Sequence, residues 1–159
     1  MESQSRRDSS SKTSFGTPST DPTKVLIIDD ETNLGKMLQD ILEEYGYITA
    51  FAETGSEALR LMREFKPTIA LVDFRLGEVT GLDLAQTLRK IDEDLPVILM
   101  TAYGSLDLAV KAIQHDVYDF LTKPVDKTYL LRSIAKAAEK RNLTEENKKL
   151  IAYLKQSNA

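Results

Sequence analysis

Apolar residues follow two alternating patterns along this chain from residue 24 onward. Short uninterrupted apolar runs are typical of parallel strands buried on both faces of a sheet. Between them, apolar residues recur every three or four positions, as they do on one side of a helix. The runs predict strands at 25–28, 47–51, 68–73, 97–100 and 117–121, and helices are predicted at 33–45, 54–65, 81–88, 105–113 and from about 127. Five such units predict an α/β fold with a five-stranded parallel sheet and helices on both faces.

Polar residues stand where four of these strands end. Asp73 ends the third strand, Asp29 and Asp30 follow the first, Thr101 follows the fourth and Lys123 follows the fifth. The carboxyl ends of parallel strands meet at one edge of the sheet, and in open α/β sheets that edge binds ligands. We therefore expect these five side chains to form one site.

Three carboxylates at one edge raise one another's pKa unless a cation lies between them. Oxygen ligands alone select a hard divalent ion, most simply Mg²⁺, which keeps water ligands and leaves room for a phosphoryl group. Asp29, Asp30 and Asp73 are therefore the predicted metal ligands, and Mg²⁺ is the predicted cofactor.

Asp73 is the group best placed to act as a nucleophile, because carboxylates attack phosphorus to give acyl phosphates. Thr101 offers a hydroxyl group to a phosphoryl oxygen, and Lys123 offers a positive charge that neutralises developing negative charge. Ala102 is small enough to let a phosphoryl group and an attacking water approach. The sequence thus predicts phosphoryl chemistry at Asp73, with Thr101 and Lys123 as its catalytic partners.

Composition and charge limit the class of protein. The chain has no cysteine, which excludes disulfides and cysteine-based metal sites and fits a reducing cytoplasm. Its longest apolar runs have about five residues, far fewer than the ~20 that cross a bilayer, so we expect a cytoplasmic protein without a membrane segment. Residues 24–126 hold 10 basic and 19 acidic side chains, a net charge of −9, whereas residues 127–159 hold 8 basic and 3 acidic ones, a net charge of +5. The acidic body argues against direct nucleic-acid binding, which needs a basic surface.

The C-terminal segment carries a second apolar pattern, here called the seam. Its residues follow a 4-3-4 spacing and are Leu143, Asn147, Leu150 and Leu154. This spacing is typical of a coiled coil with one polar position, but two heptads are fewer than the three or four that make the signal specific. Three alternatives stay open: a solvated helical tail, a short homodimeric coiled coil, and a helix break at 142–144. In a continuous helix the side chains of Arg141 and Leu143 point about 200° apart around the helix axis. The seam, which begins at Leu143, would then face away from the sheet.

Four further residues complete the pattern around the predicted site: Gly81, Ala102, Phe120 and Pro124. Together with the five polar residues at the strand ends, this set resembles the receiver domain of bacterial two-component response regulators. The stretches at 100–104 and 118–121 resemble receivers of the nitrogen-regulation type.

The resemblance covers about residues 23–140 and sets the expected domain organisation. It implies a doubly wound, flavodoxin-like sheet with strand order 2-1-3-4-5 and an extended C-terminal helix. Residues 1–22 are rich in Ser, Thr and Pro and are predicted to be disordered. Residues 141–159 are predicted to form a helical linker or a coiled-coil tail that leads to an effector domain outside this sequence.

The resemblance also implies a function for the site. Asp73 would accept a phosphoryl group from a histidine kinase, a phosphotransfer protein or a small phosphodonor. Asp30, Asp73 and the backbone carbonyl of Arg75 would bind Mg²⁺, and Asp29 would hold a metal-bound water. The protein would not be an enzyme for other substrates, since its catalysis would be limited to self-phosphorylation and self-dephosphorylation.

Thr101 and Phe120 are implied to form the switch pair, with Ala102 beside them. Thr101 would move toward the phosphoryl group and the Phe120 ring would turn inward, which repacks the face formed by the fourth helix, fifth strand and fifth helix. Two residues depart from the family pattern. Gly77 replaces the proline usually found four residues after the acceptor, which predicts a more mobile loop at 74–80. Arg75 occupies a position that modulates loss of the phosphoryl group, so we expect an effect on that rate.

Two other functions fit the residues less well. A phosphohydrolase of the haloacid-dehalogenase type needs a second acid two residues after its nucleophile, and Arg75 stands there instead. A flavodoxin-like cofactor binder needs a Ser, Thr or Gly loop after the first strand, where Asp29 and Asp30 would repel the phosphate. The switch is therefore the favoured function.

Overall fold

Five parallel strands form the central sheet of the computed structural model, which describes residues 22–102, 110–111 and 114–157. The strands are β1 (Lys24–Ile28), β2 (Ile48–Ala52), β3 (Ile69–Asp73), β4 (Val97–Thr101) and β5 (Asp119–Thr122). They pair in the order β2-β1-β3-β4-β5, and every pairing is parallel. The predicted five-stranded parallel sheet and its strand order are confirmed.

Helices lie between the strands and after the last of them. Those whose bounds both fall within the described residues are α1 (Thr32–Glu44), α2 (Gly55–Glu64), α3 (Gly81–Ile91) and a C-terminal helix (Lys127–Ser157). The helix predicted at 105–113 lies mostly outside the described residues, and with it the fourth-helix part of the predicted output face. For the other elements, the predicted and observed bounds differ by a few residues at most.

The core has two layers because the central strands are buried on both faces. Leu26 and Ile28 of β1 point into the layer beneath α2 and α3. Val25 and Ile27 point into the layer beneath α1 and the C-terminal helix. All residues of β3 and β4 are buried, which explains why these strands are continuous apolar runs in the sequence.

Thr54 caps α2 as its sequence predicts. Its hydroxyl oxygen accepts a hydrogen bond from the Glu57 backbone N–H at 3.1 Å. The Glu57 carboxylate reaches back to the N–H of Glu53 at 2.9 Å, one residue before the position expected of a capping box.

The segment between β3 and α3 holds a small hairpin that the sequence pattern does not predict. Arg75–Leu76 and Val79–Thr80 pair as antiparallel two-residue strands. Gly77, in the turn between them, has φ of 66°, a left-handed conformation that glycine adopts without steric cost. Strands of two residues are too short to produce a periodic pattern, which is why the sequence indicates only a loop here.

The C-terminal helix runs without interruption from Lys127 to Ser157. The alternative of a break at 142–144 is therefore wrong. Thr144, which could have capped a new helix, instead donates its hydroxyl hydrogen to the Lys140 carbonyl at 3.0 Å. The seam residues Leu143 and Leu150 are exposed, in agreement with the predicted direction of the seam away from the sheet. Among the described helices none has the length and apolarity needed to span a bilayer.

Candidate functional site

Asp73 and Asp29 are delivered to the site by the ends of two neighbouring strands. The backbone beside Asp73 is fixed by a hydrogen bond from the Phe74 N–H to the Met100 carbonyl at 2.7 Å. Asp29 follows β1, and its backbone N–H donates to the Ala52 carbonyl at 3.1 Å. Both aspartates are buried, so these two carboxylates are largely shielded from solvent.

Three aspartates gather at this edge of the sheet. One carboxylate oxygen from each of Asp29, Asp30 and Asp73 lies within 4.8 Å of the others. Asp30 is exposed, so the cluster is open to solvent on one side. An all-oxygen ligand set of this charge fits a hard divalent cation such as Mg²⁺.

Lys123 bridges the two buried carboxylates. Its Nζ lies 3.2 Å from Asp29 Oδ2 and 3.2 Å from Asp73 Oδ1. The backbone N–H of Lys123 donates to the Thr101 carbonyl at 2.7 Å, which ties the loop after β5 to the end of β4. The Lys123–Pro124 peptide bond is cis.

Burial and charge act in opposite directions on these groups. Burial, followed by the negative charge of Asp29, raises the pKa of Asp73 above the usual carboxyl range, and Lys123 only partly opposes this rise. Burial alone would lower the pKa of Lys123, but Asp29 and Asp73 outweigh it and raise the pKa of the ammonium group. Lys123 is therefore a permanent positive charge beside the Asp73 carboxylate.

Thr101 and Phe120 lie on neighbouring strands at different heights. Thr101 is buried at the end of β4 and is in register with Thr122 of β5. Phe120 is in register with Leu99, two residues farther from the edge, and its half-buried ring packs against the core beneath α3. Ala102 is exposed immediately after Thr101. The structure thus brings Thr101 and Ala102 to the edge where Lys123 and Asp73 lie, with Phe120 behind them.

Arg75 touches the site through its backbone. Its N–H lies 3.4 Å from Asp73 Oδ1, while its side chain is exposed on the hairpin. The predicted role of its carbonyl as a metal ligand stays a prediction.

Gly81 has a structural role that the sequence pattern alone does not reveal. Its N–H donates to the Phe74 carbonyl at 2.6 Å. A Cβ atom at this position would lie 2.4 Å from the Asp73 carbonyl oxygen and 3.0 Å from the Phe74 Cα. Only glycine lets α3 begin this close to the strand that carries Asp73. The signal in the sequence is a glycine at the first position of a helix that follows a buried strand.

The fold and the site together define a class of protein: an α/β domain with an acidic, lysine-bridged pocket at the carboxyl edge of a parallel sheet. The family model described as the response regulator receiver domain matches residues 25–135, and the chain belongs to this family. The resemblance inferred from the sequence is therefore confirmed.

Individual relatives agree with this assignment. The transcriptional regulatory protein GlrR of Escherichia coli (strain K12) is 40% identical over 118 residues, which cover 74% of this chain and 27% of that protein. The C4-dicarboxylate transport transcriptional regulatory protein DctD of Rhizobium meliloti is 37% identical over 126 residues, which cover 79% of this chain and 27% of that protein. This chain thus spans about a quarter of the length of these curated relatives.

Solved structures show the same fold. A CheY-like response regulator receiver domain protein from Methanospirillum hungatei matches with a TM-score of 0.70 and 29% identity, over 76% of this chain and 97% of that one. NtrX from Brucella abortus, in complex with ADP, matches with a TM-score of 0.75 and 28% identity, over 82% of this chain and 29% of that one.

Proposed function

We propose that this chain is the phosphoacceptor switch of a two-component signalling system and that Asp73 is the residue that is phosphorylated. The observation that carries the proposal is the position of the Asp73 carboxylate. It ends a buried central strand, lies 3.2 Å from the Lys123 ammonium and shares a cluster with Asp29 and Asp30. Asp29 shares both contacts, but its side chain is fully buried, whereas that of Asp73 is 9% exposed and is the one of the two that a phosphodonor can reach.

The proposed reaction transfers one phosphoryl group to Asp73. A carboxylate oxygen of Asp73 attacks the phosphorus of a phosphohistidine on a kinase or phosphotransfer protein, or of a small acyl phosphate. The phosphorus bond to the donor breaks, and its electron pair stays with the donor nitrogen or oxygen. In self-dephosphorylation, water attacks the phosphorus of the aspartyl phosphate, the bond from phosphorus to the Asp73 oxygen breaks, and inorganic phosphate and the free carboxylate are formed. Lys123 neutralises negative charge on the phosphoryl oxygens in both reactions.

Asp29, Asp30 and Asp73 would hold Mg²⁺, with the Arg75 carbonyl as a further ligand. When bound, the ion supplies positive charge that screens the three carboxylates from one another and from the incoming phosphoryl group. The exposed side chain of Arg75 lies on the hairpin beside Asp73, and we expect substitution there to change the rate at which the phosphoryl group is lost.

The effect of phosphorylation at Asp73 would reach the output surface through Thr101 and Phe120. The Thr101 hydroxyl would bond the new phosphoryl group, and Ala102 leaves room for that group. The half-buried Phe120 ring also lines a cavity of about 460 Å³ between β5 and the start of the C-terminal helix. An inward turn of the ring would therefore alter the surface made by β5, this helix and the predicted helix before β5.

The partners are proposed from the family and from the names of the relatives. A histidine kinase or phosphotransfer protein would supply the phosphoryl group in the cytoplasm, and a receiver domain at about 23–140 would receive it. GlrR and DctD are transcriptional regulatory proteins, so we expect an effector that acts in transcription outside this sequence. The receiver itself would not contact nucleic acid or membrane.

We further propose that two copies of the chain pair through the seam. The large apolar side chains of the seam are exposed along the continuous helix, with Leu143 at 59%, Leu150 at 55% and Leu154 at 50%. Asn147 occupies the polar position that favours a two-stranded coiled coil. Sedimentation equilibrium should give a dimer for the native chain and a monomer for Leu143→Gln/Leu150→Gln, with Lys149→Ala as the control on another side of the helix. A native chain that is monomeric at every concentration would exclude the proposed coiled coil.

Intact-mass spectrometry after incubation with acetyl phosphate and Mg²⁺ tests the phosphoacceptor function. The native chain should gain the mass of one phosphoryl group, and omission of Mg²⁺ should prevent the gain. Asp73→Asn should stay unmodified, whereas Asp40→Asn, which changes an exposed aspartate of α1, should react like the native chain. An unmodified native chain or a modified Asp73→Asn variant would exclude the proposal.

A further inference from the structure

The C-terminal helix keeps contact with the domain body beyond the end of the apolar core. Its buried face is marked by Leu130, Ile134 and Ala137. Steps of four and eleven residues from Ala137 continue the same face to Arg141 and Lys148. Charged side chains thus replace apolar ones on the side of the helix that faces the body, and the seam lies on the opposite side.

Both charged residues meet the acidic turn between α3 and β4. Arg141 Nη1 lies 2.8 Å from Asp92 Oδ2, and Arg141 Nε lies 2.9 Å from Glu145 Oε2 on its own helix. These two guanidinium nitrogens are not accessible to solvent, and neither is aligned for a hydrogen bond. Their contacts with the two carboxylates are therefore ion pairs only. Lys148 Nζ forms an ion pair with Asp94 and lies 3.7 Å from Glu93 Oε2.

The acidic turn is itself held rigidly. The Asp94 N–H donates to Asp92 Oδ1 at 3.1 Å, and Leu95, directly after it, is fully buried. Arg89 donates from Nη2 to the Glu93 carbonyl at 2.8 Å and from Nη1 to the Asp116 carbonyl at 3.0 Å. The carboxylates are therefore presented by a fixed backbone, which lowers the entropy lost when they bind a partner.

We propose that the acidic turn 92–94 is a clamp that docks the extension of the C-terminal helix and fixes the direction in which that helix leaves the receiver. A single exposed ion pair contributes little to stability. Here the Arg141 side chain is only 13% exposed, and four carboxylates converge on two cations of one helix face. The clamp also makes use of the opposite charges of the body and the C-terminal segment.

The clamp connects the helix extension to α3, and α3 begins at Gly81 against the strand that carries Asp73. The acceptor and the extension are thus joined by a rigid element that does not include Thr101, Phe120 or β5. The clamp itself does not depend on the proposed phosphorylation, so its test uses the unphosphorylated chain.

Amide hydrogen exchange followed by NMR on the full chain tests the clamp. Asp92→Asn/Asp94→Asn removes two of the three charges of the turn, those of the carboxylates nearest to Arg141 and Lys148. The amide oxygen introduced at position 92 would still accept the backbone N–H of residue 94. We expect exchange of the helix amides at 143–152 to become about tenfold faster, although no residue of the helix has changed. Raising the salt concentration from about 0.05 M to about 1 M should accelerate exchange of the same helix amides to a similar extent in the chain whose turn is unsubstituted. In the turn variant, the added salt should change exchange little further.

Matched variants separate the clamp from other effects. All samples carry Leu143→Gln/Leu150→Gln, so that pairing of two copies does not protect the helix. Arg141→Gln/Lys148→Gln should accelerate exchange as the turn variant does. Lys149→Gln/Lys155→Gln removes the same charge from lysines that form no ion pair with the described residues, and it should leave exchange within about twofold. Unchanged exchange in the turn variant, or equal acceleration in the Lys149/Lys155 control, would overturn the clamp.

Discussion

Asp73 places a carboxylate where burial and the negative charge of Asp29 both raise its pKa, with Lys123 in partial opposition. The ionised side chain is therefore less stable in the folded protein than in water. An amide of the same shape has no charge, so burial and the charge of Asp29 would not destabilise it in this way. Lys123 would keep its ion pair with Asp29. The residue that gives the site its chemistry thus lowers the stability of the fold.

Asp73→Asn is accordingly expected to raise the free energy of unfolding by about 1 kcal/mol in metal-free buffer at neutral pH. Urea denaturation monitored by circular dichroism measures the change. Asp40→Asn, at an exposed position, should change the value by no more than about 0.5 kcal/mol. An Asp73→Asn variant less stable than the native chain would show that the Lys123 contact outweighs burial.

Gly81 is a second residue whose identity is set by the site. Gly81→Ala forces a Cβ atom against the Asp73 and Phe74 backbone, so we expect a loss of about 1–3 kcal/mol of unfolding free energy. Gly55→Ala is the matched control, because it also lies at the first position of a helix and its Cβ would meet Leu84 at an ordinary 3.6 Å. Equal effects of the two substitutions in urea denaturation would contradict the close approach of α3 to β3.

At the scale of elements, α1 packs closely on β2 because Gly35 has no side chain where the Phe51 ring of β2 lies. A Cβ atom at Gly35 would lie 2.1 Å from the nearest atom of the Phe51 ring, so the ring or the helix would have to move. Gly35→Ala is expected to destabilise the protein by about 1–3 kcal/mol, despite the better helix propensity of alanine. Lys36→Ala, on the exposed side of the same helix, is the control. A thermal unfolding midpoint that rises in Gly35→Ala would contradict this packing.

The elements show which features a sequence pattern can predict. β3 and β4 are predictable because burial on both faces makes them continuous apolar runs, and α2 because Thr54 caps it through its own side chain. The hairpin at 75–80 is not predictable, since two-residue strands have no period. The contact of Gly81 with Asp73 and the ion pair of Arg141 with Asp92 each join residues of two different elements. Periodicity describes one element at a time, so such contacts emerge only from the packed structure.

At the scale of the whole molecule, the strand-end residues act together as one binding site, and metal binding should therefore stabilise the entire fold. At a Mg²⁺ concentration about a hundredfold above its Kd, the expected gain is about 2.7 kcal/mol. Thermal unfolding with Mg²⁺ and with EDTA measures it. The gain should be lost in Asp30→Asn and Asp73→Asn and kept in Asp40→Asn. A native chain with the same midpoint in both buffers would contradict the predicted metal site.

The central claim, that Asp73 is the phosphoacceptor, is tested most directly by locating the modified atom. Borohydride reduces an acyl phosphate to an alcohol and leaves free carboxylates unchanged, so it marks the phosphorylated residue permanently. After treatment with acetyl phosphate and Mg²⁺, peptide mass spectrometry should find homoserine at position 73 and unmodified aspartate at positions 29 and 30. Homoserine at either of those positions instead, or at none of the three, would contradict the account.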